Sequence, residues 1–89
     1  MTNLEAGVLT KAAEEVEKII KLQDNADIKK ELQEAGNNIT SKEDKRFFYR
    51  HMNTLFLNVL LNRLDELGES AEQRSLEARK EIVNIIYAL

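Results

Sequence analysis

Eighty-nine residues leave room for one domain around one core. With 43% hydrophobic and 33% charged residues, the chain is neither a disordered tail nor a membrane-embedded segment. A net charge of -3 argues against general nucleic-acid binding, which needs surplus Lys and Arg to displace counterions, and the lack of cysteine excludes disulfide scaffolds and cysteine-based metal sites.

Zero prolines and three glycines mean that helix stops must be read from Gly, Asn and capping residues. Thr2-Asn3-Leu4-Glu5 fits a capping box, in which the Thr hydroxyl accepts a downstream amide and Glu5 reaches back. Behind it, Leu9, Ala13, Val16 and Ile20 recur at helical spacing, widened by Ala12 and Ile19. Glu14, Glu15, Glu17 and Lys18 fill the other face, and the pattern predicts an amphipathic helix over 4–22. Asp24 or Asn25 can cap a second helix over 25–35, striped by Ile28, Leu32 and Ala35. Gly36-Asn37-Asn38 should end it, since these residues tolerate the left-handed conformation. Ile39 stays in phase to pack as the chain leaves.

Thr40-Ser41-Lys42-Glu43 reads as a second capping box opening the longest helix, 41–67, with Gly68 as its C-terminal cap. Phe48, Met52, Leu55, Phe56 and Val59 form its stripe, and Leu60, Leu64, Leu57 and Leu61 extend it sideways. A helix apolar over more than half its circumference is usually contacted by several neighbours, so it should be central. Ser70-Ala71-Glu72-Gln73 reads as a third box, opening a helix over 70–88 striped by Leu76, Val83 and Ile86. The β-branched cluster Ile82 to Ile86 alternates poorly and continues a helical phase, so it reads as helix. Four helices joined by short loops imply an all-α, single-domain antiparallel four-helix bundle spanning 1–89.

No arrangement expected for catalysis stands out, and no cofactor is implied. His51 is the single histidine, with no acid three residues before it to suggest a carboxylate metal site. Acid pairs such as Glu14-Glu15 and Asp65-Glu66 should face water, and Ser41, Ser70 and Ser75 suit caps or the surface better than nucleophilic roles. Arg63 falls inside the apolar arc of the third helix, where it should snorkel at the bundle's end rather than pair with an acid.

The candidate contact residues lie in the second half. Residues 1–45 hold ten acids against seven lysines, and every Arg falls after them. Arg46, Tyr49, Arg50, Leu57 and Leu61 share one side of the third helix, and Arg and Tyr are favoured interface anchors. Ile85 and Tyr87 leave the last helix apolar outside its stripe, which fits helix packing, a dimer contact or a partner site. The basic–aromatic run Lys45 to His51 could grip nucleic acid, but the acidic whole favours a protein partner. The longest apolar run is far too short to span a bilayer, and Met1 to Glu5 lacks the start of a signal peptide, so a cytoplasmic location is expected.

The order of an acidic amphipathic helix, a short helix, a long central helix and a last helix resembles the bacteriocin immunity proteins of the enterocin A immunity type. The local likeness lies in Ala12-Ala13-Glu14-Glu15-Val16-Glu17-Lys18-Ile19-Ile20 and Ile28-Lys29-Lys30-Glu31-Leu32-Gln33-Glu34-Ala35, then in Asn53, Leu57 and Leu61. The resemblance implies a four-helix bundle without catalysis, working inside the producing cell, peripherally at the inner membrane face. It implies protection from a pore-forming peptide by engaging a membrane sugar-permease receptor, the mannose permease, with its bound bacteriocin. The C-terminal half is the part associated with choosing the bacteriocin. This chain ends with its last helix, where many members carry a further tail. The competing expectation is a helical regulatory or assembly protein, such as an antitoxin, a phage inhibitor or a homodimeric adaptor; both a monomer and a homodimer fit the pattern.

Overall fold

The computed structural model describes the backbone of residues 3–22 and 27–89 and the side chains of residues 6–22 and 27–89. Among them every regular element is helical: α1 (Asn3–Ile20), α2 (Ile28–Ala35), α3 (Lys42–Asn62), α4 (Leu64–Leu67) and α5 (Glu69–Ala88). The side chains of the Thr2–Glu5 box and the caps Asp24 and Asn25 lie outside the described residues. α3 is central, packing most extensively on α5 and next on α1, while α2 lies mainly against α5.

The core forms where apolar side chains coincide in phase. Val8, Ala12, Val16, Ile19 and Ile20 come from α1, and Ile28, Leu32 and Ala35 from α2. α3 contributes Phe48, Tyr49, Met52, Phe56 and Val59, with Leu55 packed against them. Each fully buried large side chain contributes roughly 1.5–3 kcal/mol relative to exposure. The expected stripe of α1 is rotated: Val8 is buried, Leu9 only half-buried, and Ala13 exposed. α3 packs from the Ala12–Ile19 side and leaves Ala13 to solvent.

The last helix is corrected more deeply. Its buried face is Ala71, Ser75, Ala78 and Ile82, with Ile85 and Ile86 packed against the core. Leu76 and Val83, expected in the stripe, are exposed, at 49% and 42%. The inward spacing of four, three and four is helical, but the residues are small. The buried face of α5 is small where that of α3, the helix it packs on most, is bulky at Phe48, Met52 and Phe56, as the close packing of two helices requires. Ser75, expected on the surface or at a cap, is fully buried and its Oγ has no hydrogen-bond partner.

The helix ends also differ. The N-cap of α3 is Ser41, not Thr40; its hydroxyl accepts from the Asp44 amide at 3.4 Å. α5 begins at Glu69 behind Gly68, so Ser70 lies inside the helix and caps nothing; Glu69 and Glu72 complement the helix dipole instead. α3 breaks at Arg63 (φ -124°) rather than running to 67, and α4 closes on Gly68, whose positive φ of +84° with an extended ψ of -175° is a backbone conformation that favours glycine. Gly36 does not use it. Its φ is -90°, and what it supplies is space: a Cβ would overlap the Tyr49 hydroxyl and come within 2.9 Å of Cζ.

Candidate protein-contact face and a buried carboxyl

The predicted contact residues separate into two groups. Arg46, Arg50, Leu57 and Leu61 stay on the outer side of α3, with Leu61 72% exposed and Leu57 half-buried. Tyr87 on α5 is 87% exposed. Two candidates are withdrawn from the surface. Tyr49 is only 3% exposed and donates its hydroxyl to the Leu32 carbonyl of α2 at 2.6 Å. Burial pushes its phenol upward in pKa, opposed by the backbone of Gly36. Its phase, between Phe56 and the outer Arg side, points it to α2, so an aromatic expected as a contact anchor becomes a helix-to-helix tie. Ile85 is half-buried and packs against the core, because the inward row Ala71, Ser75, Ala78, Ile82 reaches it at the next helical step.

Leu76 and Val83 belong to the face and went unrecognised. Their size suggested core, and only the small-residue ladder one turn-face away signals that they point out. The side chain of Arg79 fixes how the two helices meet: its Nε donates to Asn53 Oδ1 at 2.9 Å. Because α3 and α5 run antiparallel across the 63–68 turn, Leu57 sits level with Leu76, one helical turn below that hydrogen bond. Leu57, Leu61, Leu76, Val83 and Tyr87 therefore share the α3–α5 surface with Arg46, Arg50 and Arg79. Arg46 and Arg50 also flank a shallow concavity with Glu43 and Phe47. Phe47 stacks with His51 at 6.4 Å between ring centroids, which accounts for that histidine as a surface packing partner. Among the described residues no group of three or more His, Cys, Asp or Glu is placed to hold a metal ion.

No family model, curated protein or solved structure matches the chain.

The acid pair Glu14-Glu15 does not face water as one. Glu14 is exposed, but Glu15 turns toward α2 and buries Oε2 without a hydrogen-bond partner. Its carboxyl is raised from 4.5 to about 7, first by burial and then by the adjacent Glu31, to which only a protonated Glu15 can donate; Lys18 and Lys11 oppose the rise. Glu31 moves the other way, held below its usual range chiefly by Lys18, whose Nζ lies 2.7 Å from its Oε1. Near neutral pH Glu15 is therefore partly protonated, and its protonated form can donate to Glu31 across the α1–α2 contact. Neither the concavity beside Ala13, Glu14 and Lys21 nor the one beside Arg46 and Arg50 is lined by Glu15.

Arg63 does not snorkel. It forms a two-pronged pair with Glu17 of α1, at 2.6 and 3.4 Å, which holds the Glu17 carboxyl below its usual range. The break in α3 at Arg63 places the guanidinium against α1, tying the α3–α4 junction to the last turn of the first helix.

Proposed function

We propose that the chain is a bacteriocin immunity protein of the enterocin A type: a non-catalytic binding module that protects a producer cell from a pore-forming peptide. In this reading α3 and the short α4 count as one helix, and the chain is an antiparallel four-helix bundle working in the cytoplasm at the inner membrane face. Its target is the mannose-permease receptor carrying the bacteriocin. The carrying observation is the exposed face of α3 and α5, where Arg46, Arg50 and Arg79 accompany Leu57, Leu61, Leu76, Val83 and Tyr87. Large apolar groups with interleaved Arg are the composition of a protein interface. The face lies in the half of the chain that the family resemblance associates with choosing the bacteriocin. The described helices include none long and apolar enough to cross a membrane, so the receptor would be met from the side by a surface, not by an inserted helix.

The test is protection. The chain is expressed in a bacteriocin-sensitive streptococcus or enterococcus and challenged with a panel of pediocin-like peptides. Survival against one or a few of them supports the reading. Uniform killing across a broad panel rejects it and favours the second reading, a helical regulatory or assembly protein. That alternative draws on the same exposed leucines, which a dedicated partner or a second copy could cover.

A further inference from the structure

The charges on the α3–α5 face are not evenly spread. Toward the start of α3 and the end of α5 lie Arg46, Arg50, Arg79 and Lys80, with Glu43 the opposing charge. Toward the α3–α4–α5 turn the same side of α5 carries Glu69 and Glu72, and Arg63, the cation in that stretch, is turned to Glu17 on α1. The apolar groups Leu57, Leu61, Leu76 and Val83 lie between the two ends. A surface basic at one end, acidic at the other and apolar in the middle is complementary to itself when turned through 180°.

We propose that this face pairs with a second copy of the chain about a two-fold axis at Leu57 and Leu76, with the two α5 helices antiparallel. Glu72, Leu76 and Lys80 follow one another at four-residue steps and form a single row along α5. At about 1.5 Å per residue, Glu72 lies roughly 6 Å to one side of Leu76 and Lys80 roughly 6 Å to the other. The two-fold therefore brings Glu72 opposite the partner's Lys80, and by symmetry Lys80 opposite the partner's Glu72. It also brings Glu69 to the level of the partner's Arg50, since each lies seven residues from the axis on its own helix. Each copy uses the same patch, as an isologous contact requires. Pairing covers Leu61, Leu76 and Val83, which are otherwise open to water. It stands apart from the immunity reading: a second copy and a receptor would compete for one face, and pairing requires no receptor.

Sedimentation equilibrium of the full chain tests it, over a range of concentrations at low and high salt. A reversible dimer weakened by salt is expected. Leu76→Glu places two acids at the axis and should leave only monomer; Leu76 is exposed, so helical circular dichroism and the melting temperature should hold. Glu72→Lys and Lys80→Glu should each weaken pairing on the order of tenfold, because each sets like charges face to face twice. The double variant Glu72→Lys/Lys80→Glu should recover most of the wild-type affinity. Two turns, about 12 Å, separate these residues within one helix, so the recovery cannot arise inside one chain. A chain that is monomeric at every concentration overturns the proposal, as does a dimer indifferent to Leu76→Glu or one that the double variant fails to restore. A monomer that protects cells removes the pairing and leaves the immunity reading standing; a dimer of this kind that protects nothing does the reverse.

Discussion

Replacing Glu15 by Gln should stabilise the fold, and by an amount that depends on pH. Gln is the shape of the protonated carboxyl and can donate to Glu31 without needing a proton. In the folded chain Glu15 titrates at about 7 rather than 4.5. Between those values the unfolded chain releases a proton that the folded chain keeps, so wild-type stability falls as pH rises through this window and is level above it. Each pKa unit corresponds to about 1.4 kcal/mol, which would make the full rise about 3 kcal/mol in a dry site. Glu15 is only partly buried, so solvent screening reduces the expected figure to about 1–2 kcal/mol. Urea unfolding of both proteins at closely spaced pH values reads it directly. Glu15→Gln should be more stable than wild type by about 1–2 kcal/mol at pH 8, with the gain shrinking toward zero as pH approaches about 4. A gain independent of pH, or a variant less stable than wild type at pH 8, would refute protonation of Glu15 at the α1–α2 contact.

Tyr49→Phe removes the hydroxyl from the Leu32 carbonyl and should cost about 1–2 kcal/mol in denaturant unfolding. Gly36→Ala pushes a methyl group into the same ring and should cost about 1–3 kcal/mol, with a smaller penalty in the Tyr49→Phe background because part of the overlap is gone. Gly68→Ala meets no atom within 4 Å, so its expected loss of about 1–3 kcal/mol is backbone strain at φ +84° alone. Ser75→Ala should leave thermal stability unchanged or raise it by about 1 kcal/mol, since the buried Oγ has no partner to lose.

The helices were legible because their evidence is local. The apolar phase of Ile28, Leu32 and Ala35, the stripe from Phe48 to Val59 and the stop at Gly68 each need only neighbours in sequence. What failed was orientation. On α5 the largest residues, Leu76 and Val83, point out, while Ala71, Ser75 and Ala78 point in, and that choice is made by the bulk of Phe48 and Phe56 on another helix. Caps shifted for a similar reason: Thr40 and Ser41 offer nearly equivalent hydroxyls, and the entry of the chain into α3 selects between them. The contact face was half legible. Arg46, Arg50, Leu57, Leu61 and Tyr87 could be found by phase, whereas Tyr49 and Ile85 were drawn inward by contacts from α2 and the core. Glu15 could not be distinguished from Glu14 in sequence, because only the docking of α2 covers an oxygen of one of the two carboxyls.

If the α3–α5 face is the functional surface of an immunity protein, changes on it should abolish protection and changes elsewhere should not. The most direct measurement is survival of sensitive cells expressing the wild type, Arg50→Glu, Leu61→Asp or the control Lys29→Glu on α2, scored against the peptide that the wild type resists. Arg50, Leu61 and Lys29 are all exposed, so equal expression and helicity are expected. Arg50→Glu and Leu61→Asp should lose protection while Lys29→Glu keeps it. Full protection by both face variants, or a wild type that resists no peptide, would contradict that role for the face.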